Sequence, residues 1–284
     1  MILYQSLEKT NHETLHETFV EAFSDYQVKI DLPFWKFEQM LQRKGFNPEM
    51  SIGAFENDQL VGFVLNGLRL WNGKITVYDI GTGIIEEYRR QGLTSDMLLQ
   101  IKKRLKDKQV EQYLLEVLKE NQAAIQLYQK QGFTIEREFS CFQLDKGEFI
   151  PTTTCKIEKA AMIDLQQLKE FWDFRPSWQN SIESICAISE AFSYLVAKVD
   201  ETIAGYGVID KRTGDIPQLA VNKDYRGYGV ASSILTALLE NTESQSISVI
   251  NVEAEYKPVE KFLEKAGFKF EVGQYEMLAT NFTD

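Results

Sequence analysis

The sequence predicts a mixed α/β fold in two tandem domains built on one plan. Three observations predict it. A glycine-marked segment occurs twice, as IIEEYRRQGLTSDMLLQI (Ile84–Ile101) and VNKDYRGYGVASSILTAL (Val221–Leu238). A second pair, LLEVLKENQAAIQLYQKQGF ending at Phe133 and ISVINVEAEYKPVEKFLEKAGF ending at Phe268, follows each at a matching distance. The offset is 137 residues at Arg89/Arg226 and 135 at Gly132/Gly267. A repeat of that length and order marks duplicated structural units rather than two chance motifs.

The elements follow in the same order in each half. Ile2–Ser6 alternates as a strand, and His12–Phe23 and Leu32–Arg43 carry helical spacing. SIGAFENDQLVGFVLNGLRL reads as strand, turn and strand; SYLVAKVDETIAGYGVID reads the same way. DIGTGI and QLAV are strands leading into the glycine segments. TSDMLLQIKKRLKDK and ASSILTALLENTE are helices, and YLLEVL and SISVINV are strands again. NQAAIQLYQKQ and KPVEKFLEKA are short helices stopped by Gly-Phe, the second admitting Pro258 in its first turn. The second half opens with a strand near Cys155–Ile157 and a helix expected over Met162–Trp172. Gly147–Pro151 punctuates the boundary, giving domains 1–148 and 149–284.

Bulk properties exclude several function classes. The chain of 284 residues is 44% apolar and 26% charged, which suits soluble domains. No apolar run reaches the length of a membrane span, and the N-terminus lacks a basic region followed by an apolar one, so a cytoplasmic protein without membrane partners is expected. The net charge is −11, with 18 basic against 22 acidic residues up to position 150 and 13 against 20 beyond it. Acidity in both halves argues against nucleic-acid binding. Cys141, Cys155 and Cys186 form no close pair and read as buried small apolar side chains. His12-Glu13-Thr14-Leu15-His16 matches a zinc-hydrolase pattern, but no third histidine exists to complete it. An ordinary polar helix face explains it better, and no metal is expected.

The glycine segments carry the clearest chemistry. Arg89-Arg90-Gln91-Gly92-Leu93-Thr94 follows a strand and opens a helix. Glycine permits a tight turn there, and successive amides at a helix start can cradle an anion. A phosphorylated cofactor suits this constellation. The Walker lysine and the early dinucleotide turn are both missing, so ATP hydrolysis and nicotinamide binding fit poorly.

At these residues the chain resembles the GNAT superfamily of N-acetyltransferases, whose diphosphate signature is Arg/Gln-x-x-Gly-x-Gly/Ala. Arg89, Gly92 and Thr94 match it with a threonine at the last, small position; Arg226, Gly229 and Ala231 match it fully. The resemblance covers nearly all the chain. It implies two acyl-CoA N-acyltransferase-like domains, each with a mixed central sheet whose parallel strands splay apart, flanked by helices. It implies acetyl-CoA as acetyl donor, with Ile84 main-chain groups on the pantetheine arm, Gln91, Gly92, Leu93 and Thr94 amides on the diphosphate beside Arg89, and Asn121 on the pantetheine side. The cofactor-binding candidates in the second half are Val221, Arg226, Gly227, Gly229, Val230 and Ala231. Tyr128 would lie beside the acetyl-CoA sulfur. Taken singly, Asn121 is a helix N-cap and Tyr128 a core aromatic.

The resemblance implies direct attack of a primary amine on the thioester, with the amine on a small molecule or a peptide. A phenol near sulfur can protonate the leaving thiolate, and Tyr128 is that candidate acid. Asp79 and Glu116, on the two strands flanking the turn, are equal candidates for the base. The second half places Leu263 where Tyr128 stands and Tyr256 where Asn121 stands. Leucine donates no proton, so the first half is expected to be the enzyme and the second degenerate or regulatory. The competing expectation is a noncatalytic CoA-binding or CoA-sensing protein. Tyr26, Phe34, Trp35, Phe37, Phe139 and Phe142 are candidate acceptor contacts.

Overall fold

Alternation sets the first edge of the architecture. β1 (Ile2–Ser6) pairs antiparallel with β2 (Ile52–Glu56) in a computed structural model that describes residues 1–25, 32–280 and 282. Between them, α1 (His12–Ala22) is started by Asn11, whose side chain accepts the Thr14 amide hydrogen at 2.8 Å. α2 (Phe34–Lys44) stops at Gly45 in left-handed backbone, with Arg43 and Lys44 complementing its C-terminal dipole. β3 (Gln59–Trp71) and β4 (Lys74–Ile84) form a long hairpin. α3 (Leu93–Asp107) buries Leu93, Met97, Leu98, Ile101 and Leu105, a three-to-four spacing that lays one face on the sheet. β5 (Gln112–Leu118), α4 (Gln122–Lys130) and β6 (Thr134–Asp145) follow.

The second half repeats this plan with β7 (Ile157–Ala160), α5 (Ile182–Ala187), β8 (Phe192–Val199), β9 (Thr202–Asp210), β10 (Gln218–Val221), α6 (Val230–Glu240), β11 (Ser246–Glu253), α7 (Lys257–Lys265) and β12 (Lys269–Ala279). The helix expected over Met162–Trp172 is not formed. Turns and a short 3-10 segment at Lys169–Phe171 replace it. Leu165, Leu168 and Phe171 are buried at a spacing of three, which suits the tighter 3-10 winding better than an α-helical stripe. Cysteine burial also differs from expectation: Cys141 is buried, Cys155 half-buried and Cys186 exposed.

Contacts group the chain into two compact units. The first is Met1–Glu136 with the described residues from Glu276 onward; the second is Arg137–Tyr275. Compactness therefore divides β6 and β12 internally, while the sequence repeat divides the chain near residue 148. Phe139 and Phe142 fall in the second unit and are fully buried, so they are core side chains rather than acceptor contacts of the first. Phe37 is core as well, and Tyr26 lies outside the described residues. The first core is built on aromatic packing: Phe19 stacks on Phe63 with centroids 5.4 Å apart and meets Phe37 at 5.5 Å. Burying each such ring is worth about 2–3 kcal/mol. Among the described residues no helix is long and apolar enough to cross a membrane.

Candidate functional site

The two central strands of the first unit part soon after they meet. β4 and β5 pair in parallel only at Thr76↔Gln112, Val77↔Tyr113 and Tyr78↔Leu114. Beyond that point β4 runs on to Ile84 and β5 to Leu118 without further pairs between the two. The register between β3 and β4 shifts here too: Asn66 faces Asp79 and Leu65 faces Gly81, so Ile80 is an extra, bulged residue. In the second unit only one parallel bridge, Asp215↔Ser248, joins the corresponding strands.

The turn after each parted strand has the same backbone. Arg90 (φ +61°) and Gly92 (φ +85°) are left-handed in the first; Gly227 (+82°) and Gly229 (+81°) are left-handed in the second. Gly92 and Gly229 are the N-cap residues of α3 and α6, and neither helix start has a side-chain cap. Those first-turn amides are the donors available to an anion. An arginine braces each turn from behind. Arg89 donates from Nε to the Ile84 carbonyl (3.0 Å), and from Nη2 to the Ala22 carbonyl (2.8 Å) and Asp25 Oδ1 (2.7 Å). Arg226 donates to the Val221 carbonyl (3.0 Å), the Phe171 carbonyl (3.2 Å) and Asp173 Oδ1 (2.7 Å). Arg89 and Arg226 thus bond to the protein. Gln91 is exposed and bonds the Glu87 carbonyl at 3.2 Å.

A cleft of about 800 Å³ opens beside the first turn. Ile84, Arg89, Gly92, Leu93 and Thr94 line one side, and Asn121, Ala124 and Leu127 the other. Asn121 caps α4 by accepting the Ala124 amide hydrogen at 3.1 Å. It faces the cleft while it caps. Thr82 connects the cleft to a buried carboxylate: its hydroxyl donates to Asp79 Oδ2 at 2.7 Å. The Tyr128 hydroxyl donates to the same oxygen at 3.4 Å. Tyr128 is buried on α4, its ring edge-on to Phe133. Asp79 Oδ1 is buried and has no hydrogen-bond partner among the described residues. Burial pushes the Asp79 carboxyl up to about 6, against the lowering pull of the Thr82, Gly81 and Tyr128 hydrogen bonds.

Two family models match the sequence. The Acetyltransferase (GNAT) family matches residues 12–133, and an Acetyltransferase (GNAT) domain matches residues 159–282. The chain belongs to the GNAT acetyltransferase family. No curated protein matches it. A tandem GNAT protein from the clavulanic acid biosynthesis pathway is 13% identical, with all of both chains covered and a TM-score of 0.75. A GNAT-type N-acetyltransferase of Sphaerobacter thermophilus is 13% identical, with 98% of this chain and 95% of that one covered and a TM-score of 0.72. At such identities the likeness is one of fold.

Within these GNAT domains, strand alternation sets Glu116 apart from Asp79. Tyr78 pairs with Leu114, and Glu116, two residues on, shares their face of β5; Asp79 alternates to the other. Tyr78 hydrogen-bonds Glu116, and its phenol is raised well above the ordinary range by burial and by the Glu116, Asp79 and Glu276 charges. Sequence reasoning missed Thr82, the Ile80 bulge and Glu276. Thr82 sits openly in DIGTGI and was legible as a hydroxyl beside the turn; the bulge and the distant Glu276 have no local signal. His12 Nδ1 lies 3.4 Å from Glu38 Oε1, and His16 Nε2 lies 2.7 Å from the Leu32 carbonyl. Among the described residues no group of three or more histidine, cysteine or acidic side chains is placed to hold a metal.

Proposed function

We propose that the first GNAT domain, within residues 1–148, transfers acetyl from acetyl-CoA to a primary amine of a small molecule or peptide in the cytoplasm. The observation that carries this reading is the Tyr128–Asp79 hydrogen bond at the residue where β4 and β5 part. The first-turn amides of α3 hold the diphosphate, and Asn121, on the facing wall, holds the pantetheine arm. The Asp79 carboxylate, ionised above pH about 6, takes the amine's proton through its unpartnered Oδ1. Tyr128 gives its proton to the departing thiolate, and the proton on Asp79 then passes to the Tyr128 oxygen. The amine has lost one proton, the thiolate has gained one, and both side chains are restored. The second domain, 149–284, holds CoA at Arg226–Ala231 without turnover.

A second reading gives the amine's proton to Glu116, which the Tyr78 phenol orients from the other face of the strand pair. Thiol release measured with a panel of amines, in Asp79→Asn and Glu116→Gln chains, separates the two. Loss of at least a hundredfold in the Asp79→Asn chain alone supports the relay. Loss in the Glu116→Gln chain alone moves the base to Glu116. Wild-type failure to release thiol with every amine class, despite CoA binding, overturns the enzyme reading in favour of a sensor.

A further inference from the structure

We propose that the second unit's groove binds a CoA thioester whose acyl group is apolar and longer than acetyl, and holds it unreacted. The inference rests on the proposal that the Arg226–Ala231 turn takes CoA; what it adds is the acyl end. A groove of about 650 Å³ runs along that turn, walled partly by Phe149, Ile150 and Thr152. It leads into an inner cavity of about 100 Å³, and Leu219, Ala220, Leu235, Val259 and Phe262 line both.

The inner cavity occupies the place where the strands part, which in the first unit holds the chemistry. With the repeat offsets, Asp79 corresponds to Ile216, Ile80 to Pro217 and Tyr128 to Leu263. All three replacements line the inner cavity. The carboxylate, the bulge amide and the phenol are therefore replaced by carbon, since proline has no N–H. The polar side chains at the rim are spent on the wall. Gln218 donates to the Asn180 carbonyl at 2.7 Å and accepts from Tyr206 at 2.8 Å; Asn180 donates to the Ile250 carbonyl at 2.8 Å; Asn251 donates to Ser177 at 3.0 Å. Asp173, the one carboxylate among the described residues lining the inner cavity, is paired with Arg226. An acyl chain entering here meets neither a base nor an acid. An acetyl methyl leaves most of the space empty, whereas each further buried methylene adds roughly fourfold in affinity.

The test is equilibrium dialysis of the full chain carrying Ala124→Trp, which fills the first cleft, against acetyl-CoA, butyryl-CoA and CoA. The expected result is one butyryl-CoA per chain, bound roughly tenfold tighter than acetyl-CoA and recovered with its thioester intact. Adding Val249→Phe is expected to bring the ratio to about one while acetyl-CoA still binds. Equal affinity for the two thioesters before that addition overturns the acyl pocket and leaves the CoA reading standing. Binding of none of the three overturns the CoA reading itself. Crystals of the unsubstituted chain grown with butyryl-CoA decide the matter without any variant. A butyryl chain among Ile216, Val249 and Leu263 supports the proposal, and an empty groove or a chain turned to solvent overturns it.

Discussion

Where its central strands part, the first unit carries Asp79, Ile80 and Tyr128, and the second carries Ile216, Pro217 and Leu263. The neighbouring turns scarcely differ. Both have two left-handed residues at matched positions, and both are braced by an arginine that bonds the strand carbonyl five residues earlier. The turn depends mostly on backbone conformation and one brace, so it tolerates wide change elsewhere. In the mechanism we propose, the chemistry depends on the Asp79 and Tyr128 side chains and the bulge at Ile80, and the second unit's substitutions would remove it at once. On that proposal, cofactor holding and group transfer are separable properties of this fold.

The sharpest way to break the comparison is at Tyr128. Tyr128→Phe removes the hydroxyl and keeps the ring against Phe133. It is expected to lower kcat by about 10²-fold or more, the size of a lost general acid. The dissociation constant for CoA is expected to change little, because the cleft wall runs through Ala124 and Leu127 instead. Single-turnover thiol release with a parallel binding titration checks both. A variant with full kcat would remove Tyr128 as the general acid, and with it the contrast with Leu263.

Asp79 offers the next effect, in stability as well as rate. Its carboxyl titrates at about 6 in the folded chain and in the ordinary carboxylate range when unfolded. A raised folded value means that the protonated form fits the core. The stability it contributes is fully present below about pH 4 and is lost as pH rises through 6. Asp79→Asn is expected to stabilise the chain at pH 8 by up to about 3 kcal/mol, and not at pH 3.5. Denaturant midpoints at the two pH values measure this. The wild-type rate is expected to rise as pH passes 6, and that limb disappears in the variant. Ile216→Val, at the matching place, is expected to show no pH-dependent change.

The sequence made the turns, the Tyr128/Leu263 difference and most helices legible, because each depends on neighbours within a few residues. The Gly-x-Gly/Ala spacing and the Gly-Phe stops are local signals of local backbone. The pairing of Tyr128 with Asp79 was not legible. It depends on a one-residue register shift at Ile80, and strand faces reverse with each such shift. Asp79 and Glu116 were equal candidates for that reason, and the register puts them on opposite faces. Glu276 reaches Tyr78 from the far end of the chain, which no local pattern records. Phe139 and Phe142 read as candidate acceptor contacts, yet both are buried and Phe142 belongs to the second unit's core. In the segment 162–172, where a helix is expected, the buried Leu165, Leu168 and Phe171 recur every three residues, which over so short a stretch differs little from the helical 3.6.

The smallest difference lies between Gly92 and Gly229, and it tests whether the two turns are equivalent. Both adopt positive φ, where an alanine Cβ costs about 1–2 kcal/mol. The space around them differs. A Cβ at Gly92 meets nothing within 4 Å among the described residues, while one at Gly229 meets Thr154 Oγ1 at 2.6 Å and Cγ2 at 2.7 Å. Thr154 cannot yield freely, since its hydroxyl donates to the Tyr228 carbonyl at 3.0 Å and its amide to Ser233 at 2.8 Å. Gly92→Ala is expected to cost about 1 kcal/mol, the strain partly offset by the stiffer unfolded chain. Gly229→Ala is expected to cost about 1 kcal/mol more, the worth of a displaced hydrogen bond. In a Thr154→Ala background the Gly229 penalty is expected to fall back to that of Gly92. A double-mutant cycle by urea denaturation reads the coupling directly. Equal penalties at the two glycines in the wild-type background would show that Thr154 does not pack against the second turn. A Gly229 penalty that stays high without Thr154 would show that the second backbone is itself under greater strain than the first.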